Sequence, residues 1–142
     1  MIPPRKTRTI RLRDLPIGGS APIAVQSMAA TRTRDVEATL RQVRVLEAAG
    51  ADVIRIAVDN PEDVAALAKL RAETKAVLSV DLQEHYRLAA QVAPFVDKVR
   101  YNPGHLHHHE KTKSIEDKVA FLIDVAAKHG CAVRIGINAG SI

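Results

Sequence analysis

Cys131-Ala-Val-Arg134-Ile-Gly136-Ile-Asn138-Ala-Gly140-Ser141-Ile142 is the stretch on which the reading of this chain turns. Gly130 stops a helix just before it and β-branched residues alternate through it, so it reads as a strand. Strand side chains repeat every two residues, which puts Arg134, Gly136 and Asn138 on one face. Val99-Arg100-Tyr101-Asn102-Pro103-Gly104 repeats the device, with Arg100 and Asn102 two apart. In Val53-Ile54-Arg55-Ile56-Ala57-Val58 a lone Arg again interrupts an apolar run. Three cations at comparable depths in three apolar strands are the feature any functional reading must explain.

Around these strands the chain alternates. Residues 7–25 read as a hairpin turning at Leu15-Pro16-Ile17-Gly18-Gly19, and a first core strand runs from Ile23 to Met28. Thr33 is expected to cap a helix whose stripe is Val36, Leu40, Val43 and Leu46, stopped by Gly50. Asn60 and Pro61 open a second helix after strand 53–58. Strand 76–82 ends near Asp81, a short helix fills 84–93, and strand 98–102 leads into a histidine-rich loop, 103–113. Ser114 caps the last helix, which ends at His129-Gly130 before strand 132–138.

Five strands alternating with four helices predict an α/β fold with a parallel sheet. An open doubly wound sheet and a (β/α)₈ TIM barrel both satisfy that rhythm. No G-x-G-x-x-G follows the first strand, and polar residues enter near the carboxyl end of every strand, as on the rim of a barrel. A whole barrel takes about 250 residues, so 142 residues predict only its first five βα strands. The expected division is a basic segment and hairpin over 1–22 and a partial barrel over 23–142, with exposed sheet edges that predict marginal stability or self-association.

Composition narrows the function. A pI near 9.7 invites nucleic acid. Yet Arg5, Lys6, Arg8, Arg11 and Arg13 lie in an acid-free start, and the rest of the chain holds sixteen basic against sixteen acidic residues. With two Phe and two Tyr there are few stacking platforms either, so nucleic-acid binding is disfavoured. A single cysteine excludes an internal disulfide,. No apolar run spans a membrane and no secretory signal opens the chain, which points to the cytoplasm.

An arginine keeps its charge, so Arg55, Arg100 and Arg134 each need an anionic partner when buried. Pairing with Asp52, Asp81 or Asp97 is the structural alternative. A shared phosphate or diphosphate satisfies all three guanidinium forks at once. Asn102 and Asn138 stand one step nearer the rim, where their amides orient oxygens or simply make an Asx-turn. Asp81 and Gln26 are expected at equivalent strand ends, and Gly104, Gly136 and Gly140 at close approaches, though a turn explains Gly104 and Gly140 equally well. His105-Leu-His107-His108-His109-Glu110 lacks the spacing of a helical metal pair and reads as a solvated loop. Cys131 reads as core.

These strings together resemble the N-terminal half of 4-hydroxy-3-methylbut-2-en-1-yl diphosphate synthases. They are Val25-Gln26-Ser27-Met28, the strand around Arg55, Tyr86-Arg87-Leu88-Ala89, Asp97-Lys98-Val-Arg100-Tyr-Asn102-Pro103-Gly104, and Val-Arg134-Ile-Gly136-Ile-Asn138-Ala-Gly140-Ser141. The resemblance implies a TIM barrel that binds 2-C-methyl-D-erythritol 2,4-cyclodiphosphate. It implies a reductive ring opening, with two electrons and loss of water, in the non-mevalonate isoprenoid route. Arg55, Arg100 and Arg134 are then expected to hold the diphosphate, with Asp81, Asn102, Asn138 and Gln26 lining the pocket. It further implies a [4Fe–4S] cluster held by three cysteines and a glutamate in a C-terminal domain, a ferredoxin or flavodoxin as electron donor, and a homodimer. These 142 residues alone are expected to be inactive. Gln83 stands where a histidine is common in that family, and the histidine-rich loop replaces a shorter turn. Two rival readings are another phosphate-binding barrel, such as a pterin-binding synthase, and a non-catalytic basic nucleic-acid-binding protein.

Overall fold

The computed structural model describes residues 5–139; the expectation for Gly140 lies outside them. Two short strands, β1 (Ile10–Leu12) and β2 (Leu15–Ile17), form the antiparallel hairpin. Its turn is Arg13-Asp14, with Arg13 at φ 55°, and not the Leu15-Pro16-Ile17-Gly18-Gly19 stretch expected from sequence. Pro16 is tolerated within β2 because this two-stranded ribbon leaves free edges. Gly18 and Gly19, both at positive φ, instead redirect the chain after the hairpin.

The main sheet contains β3 (Gln26–Met28), β4 (Val53–Ala57), β5 (Val77–Asp81), β6 (Lys98–Tyr101) and β7 (Ala132–Ile135). All neighbours are parallel and lie in chain order. That order separates the two candidate architectures. A doubly wound sheet reverses at a switch point, whereas a barrel adds each strand beside the last. This sheet never reverses, so it is part of a barrel.

Four α-helices cover one face: α1 (Val36–Ala48), α2 (Pro61–Glu73), α3 (Ala89–Val92, flanked by single 3₁₀ turns) and α4 (Ile115–His129). Asn60 caps α2 by accepting from Asp63 N at 2.9 Å, and Ser114 caps α4 through Asp117 N at 3.0 Å. The cap of α1 is Asp35, which accepts from Ala38 N at 3.0 Å. Thr33, expected in that role, is buried, and its hydroxyl donates to Ala57 O at 2.6 Å, tying the loop to the end of β4. Ile54, Ile56, Val58, Leu78, Val80 and Leu82 face the helices and pack with Val43, Leu67, Leu70 and Leu122. Each fully buried Leu or Ile contributes about 2 kcal/mol.

The other face of the sheet is concave. Lys98 Nζ donates to Gln26 Oε1 at 2.6 Å, although β4 and β5 separate their strands. Three strand spacings amount to about 14 Å in a flat sheet, so upright side chains meet across them only if the sheet curls. The hairpin lies at the amino-terminal end of the strands. Arg13 donates to Lys75 O at 2.9 Å and pairs with Asp97 at 3.1 Å. Ile23, Ile135 and Ile137 are exposed around the sheet's outer strands.

Candidate anion site on the concave face

Side chains on the concave face stand in rows set by the strand register. Met28, Arg55, Ser79, Lys98 and Ala132 are successive partners in one row. Ala57, Asp81, Arg100 and Arg134 form the next row toward the carboxyl ends. The three arginines therefore share a face but not a depth. Arg100 and Arg134 are direct partners, while Arg55 starts one row lower. The sequence counts residues along each strand and cannot see the register offset between strands.

Asp81 joins the two rows. Its Oδ1 accepts from Arg100 Nη1 at 2.9 Å and from Gln83 N at 3.3 Å, and its Oδ2 lies 3.9 Å from Arg55 Nε. Arg55 also donates to Met28 Sδ, at 2.9 Å from Nη2. Arg100 Nη2 donates to Gly136 O at 3.1 Å and to Asn138 Oδ1 at 3.3 Å. A Cβ at Gly136 would fall 2.7 Å from Nη2 and 2.9 Å from Cζ of Arg100. The close approach expected at Gly136 is thus made by the guanidinium of a neighbouring strand.

The other candidate carboxylates are committed elsewhere. Asp52 accepts from Val25 N at 2.7 Å. Asp97 accepts from Leu78 N at 2.8 Å and pairs with Arg13 and Arg71 at the amino-terminal end. Arg134 is exposed, and among the described residues no carboxylate lies in ion-pair range of it.

Lys98 is a fourth cation that sequence reasoning passed over. It lies two residues before Arg100 on the same face, an alternation legible in the chain, yet lysines on strands are commonly taken as surface. Here Lys98 is 7% exposed. Burial, reinforced by the charges of Arg134 and Arg55, lowers its pKa to about 8. Gln26, expected at a strand end, instead begins β3 and holds the Lys98 ammonium from below. Both line a cavity of about 730 Å³, together with Arg134 and with Ile10 and Ile17 of the hairpin. Four cations thus face one carboxylate.

Asn102 is buried, and its amide is engaged locally. Its Oδ1 accepts from Gly104 N at 3.1 Å, the Asx-turn arrangement, and its Nδ2 meets His105 Nε2 at 3.3 Å. The loop beyond it is more tied down than a solvated loop. Lys118, 1% exposed on α4, donates to Leu106 O at 2.7 Å and His109 O at 2.6 Å. Tyr86 and Arg87 both donate to Glu110, and His85 packs against His109 at 4.6 Å between centroids.

The residues of this chain do not fit an iron–sulfur cluster. Cys131, the one thiol, donates to Ala93 O and Val96 O, and burial pushes its pKa up to about 11, away from the thiolate a cluster needs,. Among the described residues no group of three His, Cys, Asp or Glu is placed to hold a metal, and no helix is long and apolar enough to cross a membrane.

Comparison with known proteins agrees with the barrel-type sheet. The family model of the GcpE TIM-barrel domain matches residues 7–142. The chain is 54% identical over 136 residues to the 4-hydroxy-3-methylbut-2-en-1-yl diphosphate synthase (flavodoxin) of Rhodopirellula baltica, covering 96% of this chain and 36% of that protein. It is 42% identical over 139 residues to the proteins of the same name from Chromohalobacter salexigens and Actinobacillus succinogenes, covering 97% of this chain and 36% of each. The chain therefore spans about a third of the length of the curated relatives it matches.

Proposed function

This chain belongs to the GcpE TIM-barrel family, and from that premise we propose that it is the substrate-holding part of a 4-hydroxy-3-methylbut-2-en-1-yl diphosphate synthase. The substrate on this reading is 2-C-methyl-D-erythritol 2,4-cyclodiphosphate, opened reductively to the linear diphosphate. The observation that carries it is the imbalance on the concave face. Arg55 and Arg100 share one carboxylate, Asp81, while Lys98 and Arg134 have none in ion-pair range among the described residues, so the site favours a compact polyanion,.

Arg100 and Arg134 hold the phosphate oxygens from adjacent strands, and Arg55 reaches the same space from below. Asp81 fixes the Arg100 and Arg55 forks before the ligand arrives, which lowers the ordering cost of binding. Asn138, beside Arg100, orients oxygens at the carboxyl-end rim, and Gln26 acts through Lys98. Asn102 shapes the turn that forms the wall. The [4Fe–4S] cluster of the reaction takes its ligands from outside these residues, and the relatives' printed name makes flavodoxin the proposed electron donor over ferredoxin. Neither the pterin-binding reading nor the nucleic-acid reading has a comparable observation behind it.

Calorimetric titration with the cyclodiphosphate tests the proposal. Arg100→Ala is expected to weaken binding about 30-fold, the worth of a charge-assisted pair of hydrogen bonds. The phosphate-free methylerythritol is expected not to bind. Equal affinity of wild type and Arg100→Ala overturns the reading.

A further inference from the structure

We propose that Lys98 forms the inner wall of the anion site, a cation that the diphosphate reaches beneath the guanidinium groups, and that Gln26 holds its ammonium in place. The inference rests on the diphosphate reading above and adds to it a residue and a proton.

The geometry is specific. Lys98 occupies the same register row as Arg55 and the row directly below Arg100. Its one hydrogen-bond partner among the described residues is the Gln26 side-chain oxygen at 2.6 Å, a neutral acceptor. A buried ammonium ordinarily sits against a carboxylate. Here Asp81, the acid on this face, is occupied by Arg100 and Arg55. The groups around Lys98 are Gln26 from β3, Arg55 from β4 and Arg134 from β7, with Asp81 of β5 and Arg100 of β6 one row nearer the rim, while the hairpin contributes only the apolar Ile10 and Ile17. Burial, with the positive charges of Arg134 and Arg55 nearby and no carboxylate of its own, leaves the lysine under-compensated. Its proton is held loosely, and an arriving anion supplies the missing charge. Binding near pH 8 therefore draws a proton onto Lys98,.

The cyclodiphosphate is a clean probe of this coupling. Each of its phosphorus atoms carries one ester and one anhydride link, so it has no proton to gain or lose between pH 6 and 9. Titrations in two buffers of different ionisation heat give the protons taken up directly. Wild type is expected to take up part of a proton at pH 8, and its affinity is expected to weaken as pH rises from 7 to 9. Lys98→Arg keeps the charge but cannot release it, so proton uptake is expected to vanish and the pH profile to flatten. Lys98→Met is expected to bind about tenfold more weakly at pH 7. Circular dichroism checks that each variant folds, and Lys98→Arg decides the matter should Lys98→Met fail that check. Proton uptake that persists in Lys98→Arg, or unchanged affinity in folded Lys98→Met, overturns the inference. If Arg100→Ala weakens binding while both Lys98 variants behave as wild type, only this inference fails. If Arg100→Ala is also without effect, the diphosphate reading fails with it.

Discussion

The guanidinium of Arg100 lies against the backbone of Gly136 on the neighbouring strand, close enough that a methyl group there would overlap it. Gly136 is the second residue after Arg134 on the same face, so the gap between two register-paired arginines is kept open by a missing side chain. Its φ lies outside the left-handed region, so the demand for glycine comes from space alone.

Gly136→Ala is therefore expected to displace the Arg100 head from Asp81 without unfolding the protein. Affinity for the cyclodiphosphate should drop about tenfold, the equivalent of one charge-assisted bond, while the melting temperature moves by only a few degrees. Unchanged affinity would show that the arginine swings aside at no cost.

Asp81→Asn removes the carboxylate that Arg100 and Arg55 share. Both members of the Arg100–Asp81 pair are nearly buried, at 12% and 8% side-chain exposure. Leaving the cations uncompensated is expected to cost about 3 kcal/mol of stability. Added pyrophosphate should restore part of it by binding the exposed charge. Thermal melts with and without pyrophosphate check this, and a variant as stable as wild type contradicts it.

Lys98 has a signature in stability as well as in binding. Its folded pKa, about 8, is below the usual 10.5, so the folded protein releases this proton first. Between those values the unfolded chain binds more protons, and stability rises with pH across the window. Lys98→Met is expected to be more stable than wild type by about 2 kcal/mol below pH 8. That advantage should disappear by pH 10.5. Parallel melting curves at pH 7 and pH 10 for both proteins would refute it.

Lys118→Met leaves the carbonyls of Leu106 and His109 without a donor. The cost is expected to be about 2–4 kcal/mol, at one unsatisfied buried group each. Amide exchange should accelerate across residues 105–110 more than in the central strands. Uniform acceleration would mean that the lysine supports the whole domain and not the loop.

Much of the architecture was legible in the residues. Asn60-Pro61, Ser114 and Gly130 marked helix ends because capping is local chemistry. Apolar alternation marked the strands for the same reason. The errors came where partners are distant in sequence. Thr33 resembles a cap but serves β4; the hairpin is the local exception, turning at Arg13-Asp14, where no glycine announces it. At the site, alternation alone put Arg55, Arg100 and Arg134 on one face. Their unequal depth, the sharing of Asp81, and the burial of Lys98 and Lys118 depend on register and tertiary packing. A single strand carries neither.

The Gln26–Lys98 hydrogen bond is a chord drawn across an arc. A chord of fixed length sets the radius, and the radius sets how far apart the heads of Arg55, Arg100 and Arg134 stand. The residue that feels the charge of an incoming molecule is thus also the one that gauges the mouth into which it must fit. A guest of the wrong charge and a guest of the wrong girth are refused at the same atom.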